Sequence, residues 1–165
     1  MSHDNVTPFR RPPPRPVRPQ QSGGMGFKTH RGKAVLVHVL TIACFVVPFV
    51  LAGAVGGQAA QLIGFGIGLA GVLVAHSSRD SATPWAATHH EQAMRTIIIA
   101  SILITALSLP RLVVSQEVAS FWTIYGPIAF WTWVVIVLWG GLRAVVGLVL
   151  AGLRRPVFKA RGWLL

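Results

Sequence analysis

The sequence predicts an all-α integral membrane protein with four transmembrane helices, arranged as two helical hairpins, and a C-terminal interfacial helix. Residues 34–153 are almost continuously apolar, and 53% of the 165 residues are hydrophobic. Such a composition favours a membrane bundle over a globule with an aqueous surface. The apolar runs also have the required length, because about 20 helical residues cross a hydrocarbon core of about 30 Å.

The first predicted hairpin contains the spans 34–55 and 59–75. The first span carries Pro48, which is tolerated in a membrane helix as a kink. The residues between the two spans are glycines and a glutamine without charge, so the connection is a tight turn. The two spans are therefore expected to pack as neighbours.

The second predicted hairpin follows the longest polar stretch, 76–95, and contains the spans 96–114 and 121–142. A helix is expected to begin at Thr88, because Thr88 and Glu91 have the spacing of a capping box. Trp and Tyr residues near both ends of the last span are typical of interfacial belts.

The termini differ from this apolar region. Residues 1–33 are rich in Pro, Gly and positive charge, which predicts a disordered cytoplasmic tail. Residues 143–153 overshoot a single crossing and are expected to form an interfacial helix, with Arg143 and Arg154 on its wet side. A tilted continuation of the fourth span is the alternative. Residues 154–165 are predicted to be a basic cytoplasmic tail.

Positive charge dominates the polar segments, with 15 Lys and Arg against 4 Asp and Glu. The basic residues concentrate in the N-terminal tail, the 76–95 loop and the C-terminal tail, whereas the other two links carry only Arg111. The positive-inside rule then places both termini in the cytoplasm and predicts contact with anionic headgroups. Nucleic acid is not an expected partner, because no aromatic residues are interleaved with the basic clusters.

Small residues mark a predicted helix contact in the second span. Gly64 and Gly68 form a G-x-x-x-G motif, which allows close approach of another membrane helix. Gly66, Gly68 and Gly71 also spell the dinucleotide fingerprint, but that motif works at a strand-to-helix turn of a soluble domain. Helix packing is therefore the prediction, without a cofactor.

Histidines raise the question of a metal site. His89, His90 and Glu91 lie across the loop from His76, but adjacent side chains on a helix point about 100° apart. We expect no metal there. The polar side chains at the start of the third span are instead expected to lie at the level of the cytoplasmic headgroups. His38 lies within a span, where an interhelical hydrogen bond is expected because no acidic residue lies in any span.

Neither a Ser/His/Asp nor a Cys/His arrangement is recognisable, so no catalytic residue is predicted. The sequence instead predicts an interaction or lipid-headgroup surface at the cytoplasmic face. Its candidate residues are polar or basic and border the spans: His89, His90, Glu91, Arg95, Thr96, Arg143, Arg154, Arg155, Lys159 and Arg161.

Two motifs, THHEQAMRTIII and GLRAVVGLVLAGLRRPVFKARGWLL, resemble those of small bacterial membrane proteins similar to the Tic20-type chloroplast import component. The family's Gln falls on Ala93, with Gln92 beside it. The resemblance covers about residues 34–165 and implies a four-helix membrane fold in the bacterial inner membrane, without catalytic residues. The matching positions are His89, Arg95, Thr96, Arg143, Gly147, Arg155, Pro156 and Trp163.

The sequence therefore favours a non-enzymatic multi-pass inner-membrane protein that acts through helix packing, as an accessory or scaffold subunit. Its expected partners are anionic lipids and another membrane protein or a second copy of itself. A component of a transport or protein-translocation machinery is the alternative, based on the resemblance. A membrane-bound enzyme is the third hypothesis.

Overall fold

The computed structural model describes residues 26, 29–115, 117–158 and 162. Within them, four helices are long and apolar enough to cross a membrane, and no strand occurs, so the prediction of an all-helical chain with four potential spans is confirmed. The helices are α1 (His30–Val55), α2 (Gly57–Ser78), α3 (Pro84–Ser108), the short α4 (Pro110–Val113) and α5 (Ala119–Gly152).

Helix α1 begins four residues before the predicted span, inside the segment expected to be disordered. Thr29 is its N-cap, and the Thr29 hydroxyl accepts a hydrogen bond from the Gly32 amide at 3.0 Å. Such a cap satisfies one of the amides that a helix start leaves unpaired. At the other end, Gly56 has a φ of +83°. Residues with a side chain disfavour this conformation, but glycine has no Cβ and adopts it readily, which allows the chain to reverse into α2.

Helix α3 begins at Pro84, so the expected start at Thr88 is wrong. Thr83 is extended and precedes Pro84, whose fixed φ suits the first position of a helix. Thr88 lies one turn inside α3, where its hydroxyl donates to the Trp85 carbonyl at 2.6 Å. Glu91 makes no capping box, because its carboxylate accepts a hydrogen bond from Arg95 at 2.6 Å.

Two further predicted elements, the third span and the interfacial helix, also differ from the sequence prediction. The span expected over 96–114 is interrupted at Leu109, because Pro110 has no amide hydrogen with which to continue α3. The 34-residue helix α5 continues without a break through Arg143, so no separate helix begins at residue 143 and the chain follows the alternative of a continued fourth span. At 1.5 Å per residue α5 is about 51 Å long, which exceeds a single hydrocarbon core.

Helices α1 and α3 form the centre of the bundle. Both contact α2 and α5, and they contact each other, whereas α2 and α5 lie on opposite sides of this central pair. The α5 residues contact α1 in antiparallel order, since Gly140 lies against Phe45 and Gly147 lies against His38. The starts of α1 and α3 and the ends of α2 and α5 therefore share one end of the bundle, which we call the polar end. We call the opposite end, with Gly56 and α4, the turn end.

The predicted contact glycines of α2 are buried against its neighbours. A Cβ on Gly64 would lie 2.5 Å from Pro48 Cγ and 2.9 Å from the Cys44 carbonyl oxygen of α1. A Cβ on Gly68 would lie 3.1 Å from Ile97 Cγ2 of α3. The part of α1 around Pro48 thus approaches α2 closely at Gly64.

Leucine at Gly64 and Gly68 together is expected to destabilise the bundle by about 1–3 kcal/mol or more, because α2 must move away from α1 and α3. Thermal unfolding in mild detergent measures this loss. The matched control is Gly66→Leu, since a Cβ at Gly66 meets no atom within 4 Å. Equal losses of stability in the control and in the double variant would contradict close packing at Gly64.

Candidate functional site

Buried polar side chains from three helices meet at the polar end, in a cluster that we call the polar layer. Its members are at most 3% exposed, although the sequence predicted most of them at the headgroup surface. On α3 they follow helical spacing, so that one face of its first turns is polar and buried. The polar layer consists of His38 of α1, His89, His90, Gln92 and Thr96 of α3, and Arg143 of α5.

A chain of hydrogen bonds runs from α1 through α3 to the segment after α5. His38 Nε2 lies 3.0 Å from His89 Nδ1, and His89 Nε2 lies 2.8 Å from the Arg155 carbonyl oxygen. A carbonyl oxygen only accepts, so a neutral His89 donates through Nε2 and accepts at Nδ1. His38 must then donate through Nε2. The geometry therefore defines the tautomers of both neutral rings.

Arg143 crosses the polar layer from α5 and is buried, contrary to the expected wet-side position. Its Nε donates to Thr96 Oγ1 at 3.2 Å, and its Nη1 donates to the Gly162 carbonyl oxygen at 3.0 Å. The guanidinium also lies 5.4 Å from the ring centroid of Trp139, one turn earlier on α5. These contacts explain why a charged residue is tolerated within a long helix of this bundle.

The chain after α5 folds back over the polar layer. Arg155 N donates to the Leu150 carbonyl at 3.0 Å, and Arg154 N donates to the Ala151 carbonyl at 3.2 Å. With Arg154 at a φ of +56°, this pattern is a Schellman motif, which ends α5 and reverses the chain. Val157 N then donates to Thr88 Oγ1 at 3.0 Å. We call residues 153–158 and 162 the C-terminal segment.

Three polar side chains thus attach the C-terminal segment to the bundle. His89 and Thr88 of α3 bond to its main chain at residues 155 and 157, and Arg143 of α5 bonds to its main chain at residue 162. A fourth contact lies nearby, where Arg31 Nη2 of α1 donates to the terminal Gly152 carbonyl of α5 at 2.7 Å. A cation at this position also interacts favourably with the helix dipole.

Gly147 provides the space for the His38 ring between α1 and α5. A Cβ at Gly147 would overlap His38 Cε1 and would lie 2.6 Å from its Nδ1. Gly140 faces the Phe45 ring in the same way two turns earlier. Sequence reasoning from residue types missed this contact, although the small residues Gly140, Ala144, Gly147 and Ala151 recur at the helical spacing that would have indicated it.

Several nitrogen and oxygen atoms of the polar layer have no hydrogen-bond partner among the described residues. They are His38 Nδ1, both ring nitrogens of His90, and Gln92 Oε1. A buried group without a partner costs about 1–3 kcal/mol, so these atoms favour contact with water or another polar group. The described part of the chain contains no group of three or more His, Cys, Asp or Glu side chains that could hold a metal ion.

Charged side chains surround the polar layer at its surface. Glu91 pairs with Arg95 at 2.6 Å and lies 3.9 Å from Arg79 of the α2–α3 loop. Arg79, Arg95, Arg154 and Arg155 are exposed and form what we call the basic rim. The remaining predicted surface residues, Lys159 and Arg161, lie outside the described residues, as does Trp163.

Comparisons of the chain with protein-family models, with curated proteins and with solved structures give no match. The resemblance to Tic20-type membrane proteins therefore stays a prediction from the two sequence motifs. The geometry at the polar end is the basis for the functional proposal.

Proposed function

We propose that this chain is a non-enzymatic multi-pass inner-membrane protein, an accessory or scaffold subunit that binds an acidic segment of a membrane-protein partner at its basic rim. The observation that carries the proposal is the fixed C-terminal segment. The buried side chains of His89 and Arg143 and the partly buried Thr88 bond to its main chain, so residues of α3 and α5 hold this surface segment in place.

Rigidity and charge make this surface suitable for recognition. The Schellman motif and the three attachment points hold Arg154 and Arg155 in one backbone conformation, close to the start of α3. A surface that is ordered before binding loses less conformational entropy when a partner binds. Opposite charge on the partner then supplies orientation and specificity. The excess of Lys and Arg in the same segments supports a cytoplasmic position for this end.

Charge reversal at the C-terminal segment tests the proposal. Arg154→Glu with Arg155→Glu should lower recovery of the partner in mild-detergent purification by about tenfold or more, because attraction at two positions becomes repulsion. The matched control is Arg154→Lys with Arg155→Lys, which changes the same two positions and keeps both positive charges. It should retain most of the partner.

Orientation must be measured in the same variants. A cysteine at Ser81 should resist an impermeant thiol reagent in intact cells, and a cysteine at Ser115 should react. If the charge-reversed variant inverts this pattern, the arginines are topological anchors and the proposed recognition is wrong. If the charge-reversed variant keeps its orientation and recovers the partner as well as the wild type does, the proposed recognition is also wrong. If the variant loses only bound anionic lipid, the basic rim is a headgroup site.

A component of a transport or protein-translocation machinery is the second candidate. A specific observation favours it: residues matched by the resemblance in two distant motifs meet at the polar end. His89 and Thr96 come from the first motif, and Arg143, Gly147 and Arg155 come from the second. The purification above separates the two candidates, because a stable partner supports a scaffold whereas chains captured in transit support a translocation component.

A further inference from the structure

An open cleft of about 430 Å³ lies at the turn end, opposite to the polar layer. It lies between α4 and the first turns of α5, and its volume falls within the range of about 300–1,000 Å³ that is typical of ligand clefts. Its lining consists of Arg111, Trp122, Tyr125, Gly126 and Ala129.

The aromatic walls of the cleft are held in place by their own hydrogen bonds. The Tyr125 hydroxyl donates to the Leu107 carbonyl at 2.6 Å, and Trp122 Nε1 donates to the Ser115 carbonyl at 3.0 Å. The hydrogen-bond donors of both rings are thereby used inside the protein. Arg111 remains as the charged side chain of the lining, with ring surfaces beside it.

The side chains around this cleft are typical of the boundary between hydrocarbon and headgroups. Leu112 and Val113 follow Arg111 directly and are 81% and 82% exposed, which favours contact with lipid over contact with water. Trp and Tyr side chains prefer the same boundary, because the apolar ring can contact hydrocarbon while the polar N–H or O–H group contacts water or headgroups. In a membrane, this position would bring the Arg111 guanidinium to the depth of lipid phosphates.

Arg111 is also available for an anion. Neither ion pair among the described residues includes it, although Glu117 lies in the same link between α3 and α5. Arg111 is the one Lys or Arg in the two links at the turn end. The positive-inside rule does not account for a basic residue at that end. Its position beside a cleft supplies a reason.

We propose that this cleft binds the phosphate headgroup of an anionic phospholipid. The planar guanidinium of Arg111 matches two phosphate oxygens in a bidentate hydrogen-bonded pair. Gly126 and Ala129 leave space along α5 for the apolar part of the lipid next to the headgroup. The site lies at the end of the bundle opposite to the basic rim, so it is independent of the proposed recognition of a partner.

Crosslinking of the full chain with photoreactive phosphatidylglycerol in detergent micelles tests this site. The crosslink yield within residues 109–130 should fall about fivefold in Arg111→Gln, the effect of one basic residue at a membrane surface. Gly126→Leu should give a similar fall with unchanged charge, because its side chain fills the cleft while its Cβ meets no protein atom within 4 Å. Arg111→Lys should retain part of the yield.

Competition experiments distinguish the source of the phosphate. Unlabelled phosphatidylglycerol should displace the probe, whereas phosphatidylcholine with the same acyl chains should displace it poorly. Equal competition by both lipids would overturn the proposal, because it would indicate apolar packing alone. Displacement by excess inorganic phosphate would assign the site to free phosphate and would overturn the lipid proposal. An unchanged yield in Arg111→Gln would also overturn it.

Discussion

Leucine at Gly147 should destabilise the bundle by about 3 kcal/mol, at the upper end of the usual cost of overpacking. Even the first added carbon overlaps the His38 ring. That ring has little freedom to move, because its Nε2 is hydrogen-bonded to His89 and its side chain is fully buried. Thermal unfolding in mild detergent, followed by circular dichroism, measures the loss of stability.

The control for this variant lies on the same helix. Leucine at Gly141 should have little effect, since a Cβ at that position meets nothing within 4 Å. Gly147→Ala should already cause most of the loss, because its Cβ is the atom that overlaps. If Gly141→Leu and Gly147→Leu unfold at the same temperature, the α1–α5 contact at His38 is not as close as described.

Leucine at His89 should release the C-terminal segment as well as lower stability. It leaves the buried His38 Nε2 without its partner, at about 1–3 kcal/mol, and it removes the part-buried bond that holds the Arg155 carbonyl. The amide of Val157 should then exchange its hydrogen at least about tenfold faster, since local opening becomes easier by about 1.4 kcal/mol or more. Hydrogen exchange with mass spectrometry measures this rate.

Two variants separate the role of His89 from a general effect of removing a histidine. His76→Leu changes an exposed histidine at the same end of the bundle and should leave exchange at Val157 unchanged. His89→Gln keeps an amide donor for the Arg155 carbonyl, so the C-terminal segment should retain part of its protection. Equal exchange rates in the wild type and in His89→Leu would mean that His89 does not hold the segment.

The four apolar helices could be predicted because membrane thickness sets the length of a span, and the lengths of apolar runs are visible in sequence. Their ends were predicted less well. Thr29 and Thr83 begin helices inside polar stretches, where hydropathy gives no signal. Cap residues depend on local backbone geometry, and several Ser and Thr residues in each polar stretch compete for that position.

The polar layer could not be predicted, although each of its residues was noticed separately. Hydropathy scores Arg143 as a residue that favours water, but its burial depends on Thr96, 47 positions away. His38 was expected to bond to another helix, and its partner His89 lies 51 positions along the chain. A single sequence contains no information that pairs such distant residues, so the predicted surface became, in part, a buried network.

The contact between Arg31 and the Gly152 carbonyl joins positions 121 residues apart, and this separation has a consequence for biosynthesis. A ribosome makes α1 first, and His38 enters the membrane long before α5 exists. During that interval the histidine ring lacks the packing surface that Gly147 later provides. The α1–α5 contact therefore forms only when the last long helix has been made, and a nascent chain that stops before it leaves His89 Nε2 without the Arg155 carbonyl oxygen.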